Sequence, residues 1–237
     1  RNFIGCDQLI FIESSKSTDA NLKFFNSDGG ESGACGNGTR CIAKLISNET
    51  KNETVILTTL NGDLKSQILE NNIVTTEIGN AKIEWNEIPL SKKSDTKNLN
   101  IKIIDVNDKE YFGGTAVNVG NPHVVFFVNK IENFNIEKIG PQVENYNIFP
   151  KKCNVTIAKI VDKNLIKVKV WERGAGLTKA CGTAACATAF AGKLNNLTEN
   201  RTDIEFQTGK LSIFIDDKDS IHMKGPVSEI KKIEIKL

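Results

Sequence analysis

The chain has 237 residues, enough for one large hydrophobic core or for two smaller ones. Its 31 lysine and arginine residues nearly balance 29 aspartate and glutamate residues, so charge gives no reason to expect nucleic acid or an anionic membrane surface as a partner. No apolar run approaches the ~18 residues that a membrane span needs, and no signal segment opens the sequence. We therefore expect a cytoplasmic protein that binds a small molecule.

Alternating apolar segments and turn signals in the first third of the chain predict strands around one helix. The predicted strands cover residues 9–12, 22–26, 54–59, 63–69 and 73–78. A Gly-rich loop over residues 27–33 leads to a helix that begins near Cys35. The dipeptides Asn61-Gly62 and Asn71-Asn72 are hairpin signals, so the sheet is predicted to be antiparallel.

The strand pattern returns after a polar, irregular segment over residues 80–100. Further strands are predicted over residues 101–107, 111–119, 124–128, 153–160, 165–171, 204–207, 211–216, 221–224 and 229–237. Helices are predicted over 135–143 and 184–194, and residues 120–123 are predicted as a turn because Pro122 cannot donate to a β-ladder. Each half thus has a curved, mostly antiparallel sheet around one main helix, which is an α+β fold.

Two similar stretches stand out, ACGNGTRCIA over residues 34–43 and ACGTAACATA over residues 180–189. In each, Cys-Gly precedes a run of helix formers, so Cys35 and Cys181 are predicted at helix N-termini. Unpaired amides and the helix dipole favour anions there, and each thiol is expected to have a pKa below its ordinary value of about 8.5. Two such thiols predict one site between two pseudo-symmetric domains.

The other cysteines carry no such pattern. Without a secretory signal, reduced thiols are expected rather than disulfides, and the local spacings are wider than the C-x-x-C pairs of zinc sites, so no metal site is predicted. Cys6, Cys41, Cys153 and Cys186 are expected to behave as small buried hydrophobic residues.

Two thiols on opposite sides of a substrate suit removal of a proton from a carbon next to a carboxylate and its return to the other face. No cofactor motif such as a pyridoxal lysine context is recognisable, so we expect no cofactor. Amides after Cys35 and Cys181 are expected to hold the carboxylate. Glu172-Arg173 alone would be a solvated ion pair, but between glycines and ahead of Cys181 it is typical of a ligand clamp.

Several motifs resemble the signatures of the diaminopimelate epimerase family. They are FNSDG over residues 25–29, ACGNGTRC over 34–41, GNPH over 120–123, WERGAG over 171–176 and ACGT over 180–183. The resemblance implies a cofactor-independent two-base epimerase that interconverts LL- and meso-2,6-diaminopimelate on the bacterial route to lysine and peptidoglycan. Cys35 and Cys181 would be the acid/base pair, assisted by His123 and Glu172. The implied substrate-binding residues are Gln8, Asn26, Gly36, Asn37, Asn121, Asn154, Glu172, Arg173, Gly182 and Thr183.

The resemblance also implies two similar domains with the substrate in the cleft between them. The first would comprise residues 1–80 and 227–237, and the second residues 81–226. The family begins with a further segment of roughly 35 residues, so we expect this chain to be an epimerase fragment whose first sheet has an open edge. A homodimer is kept as a hypothesis, because the sequence does not determine the oligomeric state.

Three other functions stay open from the residues. One is a related cofactor-independent racemase for proline-like substrates or histidine, although the Glu172-Arg173 pair favours a substrate with a second zwitterionic end. Another is a non-catalytic amino-acid-binding module, which would have no need of both thiols. The third is a thiol redox protein that forms a disulfide between Cys35 and Cys181.

Overall fold

The computed structural model describes residues 8–26, 29–33 and 35–234. The chain divides into two compact units, Arg1–Ile78 with Lys224–Leu237 and Gly79–Met223. The functional domain boundaries after residues 80 and 226 stay a prediction. Within the described ranges, no helix has both the length and the apolar character needed to cross a membrane.

The first unit is a sheet with one helix packed on it. Its elements are β1 (Gln8–Glu13), β2 (Ala20–Asn26), β3 (Glu31–Ser32), α1 (Gly36–Thr50), β4 (Thr54–Thr59), β5 (Gly62–Ile68) and β6 (Ile73–Asn80), the last of which runs across the unit boundary. The strand order is β1-β2-β4-β5-β6, with β2 and β4 parallel and the other neighbours antiparallel. Ala43 and Ile46 of α1 pack with Phe24 and Leu57 in the core.

The second unit has a larger sheet. Its strands are β7 (Ile101–Ile104), β8 (Glu110–Gly113), β9 (Thr115–Asn118), β10 (Pro122–Phe127), β11 (Asn154–Asp162), β12 (Leu165–Glu172), β13 (Gly176–Thr178), β14 (Arg201–Phe206), β15 (Gly209–Ile215) and β16 (Ser220–Pro226), the last of which runs across the unit boundary. The order β15-β14-β12-β11-β10-β9 contains two parallel pairs, β10 with β11 and β12 with β14. β13 pairs with β12, and β7 pairs with β8 in a separate ribbon.

The helices of the second unit are α2 (Ile136–Glu144) and α3 (Gly182–Leu194). α3 contacts β9, β10, β11, β14 and β15 and is buried on almost every side, which explains its run of alanines. α2 packs against β11 and β12. A Cβ atom at Gly140 would clash with the side chain of Trp171, so the glycine allows the helix to approach the indole closely.

Three of the predicted elements are corrected. The strand over 111–119 is two strands, because Gly114 breaks it with φ +104°. Pro122 and His123 belong to β10 rather than to a turn, since a proline at the first strand position removes no essential donor. The strand over 229–237 is wrong for residues 229–234, which form no regular element, while residues 235–237 lie outside the described part.

Candidate active site

Cys35 is the N-cap residue of α1. Its backbone is extended (φ −139°, ψ 107°), and its Sγ accepts a hydrogen bond from the Gly38 amide at 3.3 Å, the place that serine or asparagine oxygen usually takes. A Cβ atom at Gly38 would lie 2.6 Å from Cδ1 of Ile10, so the first turn of α1 packs tightly against β1. The half-buried Cys35 thiol is therefore fixed by the helix start itself.

The first turn of α1 also contains a buried arginine. Arg40 is only 4% exposed, and it donates to Oδ1 of Asn37 at 2.9 Å and to the Gly36 carbonyl at 3.4 Å. The guanidinium thus orients two residues that are predicted to hold a carboxylate. On the neighbouring strands, Gln8 lies opposite Asn26 in the β1–β2 register.

In the second unit, His123 lies on β10 with no exposed surface. Its Nε2 is 2.8 Å from Oδ1 of Asn121, which assigns the ring proton to Nε2 as the donor. Burial lowers the pKa of His123 to about 3, and the positive charge of Arg173 contributes to the shift. The imidazole is neutral near pH 7, and its Nδ1 has no hydrogen-bond partner among the described residues.

Asn154 connects β10 to the turn that follows β12. It lies opposite His123 in the parallel register and is almost fully buried. Its Nδ2 donates to the Pro122 carbonyl at 2.9 Å, and its Oδ1 accepts from the Arg173 amide at 3.0 Å. Both ends of the Asn154 amide are therefore used to position protein backbone.

Cys181 is the N-cap residue of α3, with backbone angles (φ −138°, ψ 117°) close to those of Cys35. The thiol is 6% exposed, and Sγ lies 3.4 Å from Oγ1 of Thr183. Burial raises the pKa of Cys181 well above its ordinary value, and the negative charge of Glu172 raises it further. Hydrogen bonds with the Thr183 hydroxyl and the Ala184 amide lower the pKa, but by less than burial and the Glu172 charge raise it.

The prediction of a lowered pKa is therefore wrong for Cys181. The start of α3 is itself buried, and desolvation of a thiolate there outweighs the attraction of the helix dipole. For Cys35 a lowered pKa stays a prediction.

Glu172 and Arg173 form a tight turn between β12 and β13. The Ala175 amide donates to the Glu172 carbonyl at 3.0 Å, and Gly174 has φ +74°, as the third residue of a type II turn requires. The Glu172 carboxylate lies close enough to the Cys181 thiol for its negative charge to raise the pKa of that thiol. The second unit thus brings the Glu172 carboxylate to Cys181, and it joins Arg173 to His123 through Asn154.

A family model described as diaminopimelate epimerase matches residues 1–84 and 115–230. The chain belongs to the diaminopimelate epimerase family. It is 63% identical over 237 residues to the diaminopimelate epimerase of Pelagibacter ubique (strain HTCC1062), a match that covers 100% of this chain and 86% of that protein. It is 38% identical over 232 residues to that of Acidiphilium cryptum (strain JF-5), covering 98% and 82%. The resemblance seen in the motifs is confirmed.

Solved structures of low sequence identity share the fold. A phenazine biosynthesis protein of the PhzF family from Bacillus anthracis superposes with a TM-score of 0.68 at 15% identity, covering 99% of this chain and 86% of that one. A hydroxyproline epimerase from Agrobacterium vitis superposes with a TM-score of 0.65 at 12% identity, covering 92% and 71%. The predicted α+β fold class is confirmed. As a diaminopimelate epimerase family member, the chain is an isomerase, an amino-acid epimerase with a small-molecule substrate.

Sequence reasoning gave no role to two buried charged residues, Arg40 within the motif over residues 34–41 and Glu144 outside the motifs. Arg40 follows Gly36 and Asn37 at helical spacing, and that spacing was a usable signal. Glu144 accepts hydrogen bonds from Nε1 of Trp171 and from the Gly174 amide, and nothing in the sequence connects it to a turn that follows so much later.

The remaining cysteines behave largely as expected for packing residues. Cys153 and Cys186 are buried thiols and Cys41 is a half-buried one, whereas Cys6 lies outside the described residues. Burial raises the pKa of Cys41 and, more strongly, that of Cys153. Among the described residues, no cluster of three or more histidine, cysteine, aspartate or glutamate side chains is arranged to hold a metal ion.

Proposed function

We propose that Cys35 and Cys181 are the acid/base pair that epimerises LL-2,6-diaminopimelate to meso-2,6-diaminopimelate. The observation that carries the proposal is that both cysteines are N-caps with nearly the same backbone conformation, each followed by a Gly-led helix start. Such a start offers amide donors for a carboxylate next to a thiol. Family membership supports the substrate.

The reaction needs one thiolate and one thiol. The thiolate removes the α-proton of the LL isomer, and the electron pair is delocalised into the adjacent carboxylate. The thiol then gives its proton to the opposite face of the same carbon, so that the two sulfurs exchange protonation states. Amide donors at Gly36-Asn37 and Gly182-Thr183 would stabilise the charge that develops on the carboxylate.

The electrostatics of the second unit support Cys181 starting as the thiol. Its raised pKa keeps the proton on sulfur, and the nearby negative charge of Glu172 contributes to that rise. Glu172 is thus placed to receive the Cys181 proton when the thiolate is needed. The neutral imidazole of His123 retains a buried acceptor nitrogen, which supports an assisting role in proton transfer.

The distal amino-acid end of diaminopimelate carries both an ammonium and a carboxylate. A guanidinium such as that of Arg173 can bind the carboxylate, and side-chain oxygens can bind the ammonium. Gln8, Asn26, Asn121 and Asn154 complete the proposed binding set. We place the reaction in the cytoplasm, in lysine and peptidoglycan precursor biosynthesis, without a cofactor, and we keep the homodimer as part of the proposal.

The test is isomerisation of LL-diaminopimelate in deuterated water by the reduced protein, followed as loss of the α-proton signal and formation of the meso isomer. Cys35→Ala and Cys181→Ala are each expected to lose about 100-fold or more in rate, because each removes a proton carrier. Cys41→Ala is the matched control and should retain activity, since Cys41 packs against the core of the first unit.

Two results would contradict the proposal. One is isomerisation that persists in either variant at the wild-type rate. The other is faster turnover of proline, hydroxyproline or histidine than of diaminopimelate in the same assay, which would assign the pair of thiols to a different amino acid.

A further inference from the structure

Glu144 is a buried carboxylate at the end of α2, outside the family motifs. It is 5% exposed, and each of its oxygens accepts one hydrogen bond from the turn region. Oε2 accepts from Nε1 of Trp171 at 2.7 Å, and Oε1 accepts from the Gly174 amide at 3.2 Å. Trp171 and Gly174 are the two residues that flank Glu172-Arg173.

The partners of Glu144 indicate that the turn, rather than an ion pair, accounts for its position. Lys152 lies 3.8 Å from Oε1, but its side chain is 55% exposed, and an ion pair with so exposed a partner contributes little. A buried carboxylate is costly unless it is hydrogen-bonded, and the indole and amide N–H groups supply those bonds. Gly140 brings α2 close enough to Trp171 for the indole bond to form.

Three successive amides of the turn are held by three different acceptors. The Arg173 amide donates to Oδ1 of Asn154, the Gly174 amide donates to Oε1 of Glu144, and the Ala175 amide donates to the Glu172 carbonyl. Glu144 supplies the middle acceptor and also anchors the preceding indole. Its carboxylate is therefore the contact that ties both sides of Glu172-Arg173 to α2.

We propose that Glu144 is a positioning residue that fixes the Glu172-Arg173 turn and thereby sets the placement of the Glu172 carboxylate beside Cys181. The catalytic meaning of this placement rests on the proposed function, in which Glu172 exchanges a proton with Cys181 and Arg173 binds substrate. The placement of the Glu172 carboxylate beside Cys181 is a geometric claim. The reactivity of the Cys181 thiol tests it without substrate.

The first experiment compares Glu144→Gln with Glu137→Gln, the same substitution at an exposed position of the same helix. Glutamine keeps the shape but presents an NH₂ group to one of the two N–H donors, so the turn is expected to move away from α2. We expect kcat/KM for diaminopimelate to fall about tenfold or more in Glu144→Gln, since a buried donor loses its acceptor. Glu137→Gln should match the wild type.

The second measurement is the rate at which iodoacetamide modifies Cys181, resolved by peptide mapping over a range of pH. Burial and the Glu172 charge suppress the Cys181 thiolate, so a displaced turn should release it. One pKa unit corresponds to a tenfold change in thiolate, and we expect Glu144→Gln to raise the Cys181 rate about tenfold at pH 8. Cys186 should keep its wild-type rate, whereas Cys153 is no control here, because the Glu144 charge contributes to its raised pKa.

A rise at both Cys181 and Cys186 would mean that Glu144→Gln unfolds the second unit, and the Trp171→Phe variant then decides. It removes the indole donor and keeps an aromatic ring against α2. A smaller rise confined to Cys181 supports the proposal, and an unchanged Cys181 rate overturns it. In a folded Glu144→Gln protein, wild-type kcat/KM together with a wild-type Cys181 rate also overturns it.

The two proposals fail in different assays. If the wild-type protein does not isomerise diaminopimelate, the proposed function fails while the Cys181 rates still report on Glu144. If Cys181→Ala abolishes isomerisation but Glu144→Gln changes neither kcat/KM nor the Cys181 rate, the proposed function stands and the positioning role does not.

Discussion

Replacing His123 by glutamine should remove a pH-dependent part of the folding free energy. The folded-state pKa of about 3 lies far below the ordinary value of 6.5, so the unfolded chain binds more protons between these two pH values. The contribution of the neutral His123 imidazole to the folding free energy is complete above pH 6.5 and is lost as the pH falls towards 3. At pH 5, which is 1.5 units below the ordinary value, the loss is about 2 kcal/mol, since one unit is about 1.4 kcal/mol.

Urea unfolding followed by tryptophan fluorescence measures this loss. Both tryptophans, Trp85 and Trp171, pack against the core of the second unit, so the signal reports on the unit that contains His123. The free energy of unfolding of the wild type should fall between pH 7 and pH 5 by about 2 kcal/mol more than that of His123→Gln.

Comparing the wild type with His123→Gln cancels the other pH-dependent contributions to the free energy of unfolding, because both proteins share them. Carboxylates with lowered pKa values, including those of Asp105 and Asp216, also lose stabilisation in acid, but equally in the two proteins. Equal losses for wild type and His123→Gln between pH 7 and pH 5 would refute the argument that burial keeps this imidazole neutral.

Two further predictions concern α2. Gly140→Ala should destabilise the second unit, because overpacking against Trp171 costs about 1–3 kcal/mol and exceeds the helix-propensity gain of about 1 kcal/mol; a raised urea midpoint would refute this packing argument. Asn135→Ala should cost about 1 kcal/mol, because Oδ1 of Asn135 accepts from the Glu137 and Lys138 amides at the N-cap. Asn135→Asp should retain the cap, and equal urea midpoints for the two substitutions would contradict that account.

Local patterns in the sequence predicted most elements of the fold. Strand alternation placed residues 54–59, which form β4, and the Cys-Gly pairs predicted the starts of α1 and α3. The parallel pairing of β10 with β11 could not be predicted in this way, because the pairing depends on how distant segments meet rather than on the pattern within either strand.

The sequence predicted which residues form the candidate site better than it predicted their pKa values and contacts. The pattern of a helix start identified Cys181 but predicted the wrong direction for its pKa shift. No local sequence pattern indicates how deeply a helix start is buried. Glu144 was missed for a related reason. Its hydrogen bonds to Trp171 and Gly174 join segments that meet only in the folded chain.

The two helices that begin at the cysteines differ in how much substitution their packing allows. α3 is enclosed by strands, so its alanines cannot change to larger residues without displacing neighbours on several sides. α1 is exposed along its last turn, at Asn48 and Glu49, where substitution disturbs no packing. The helix that begins at Cys181 therefore tolerates fewer substitutions than the helix that begins at Cys35.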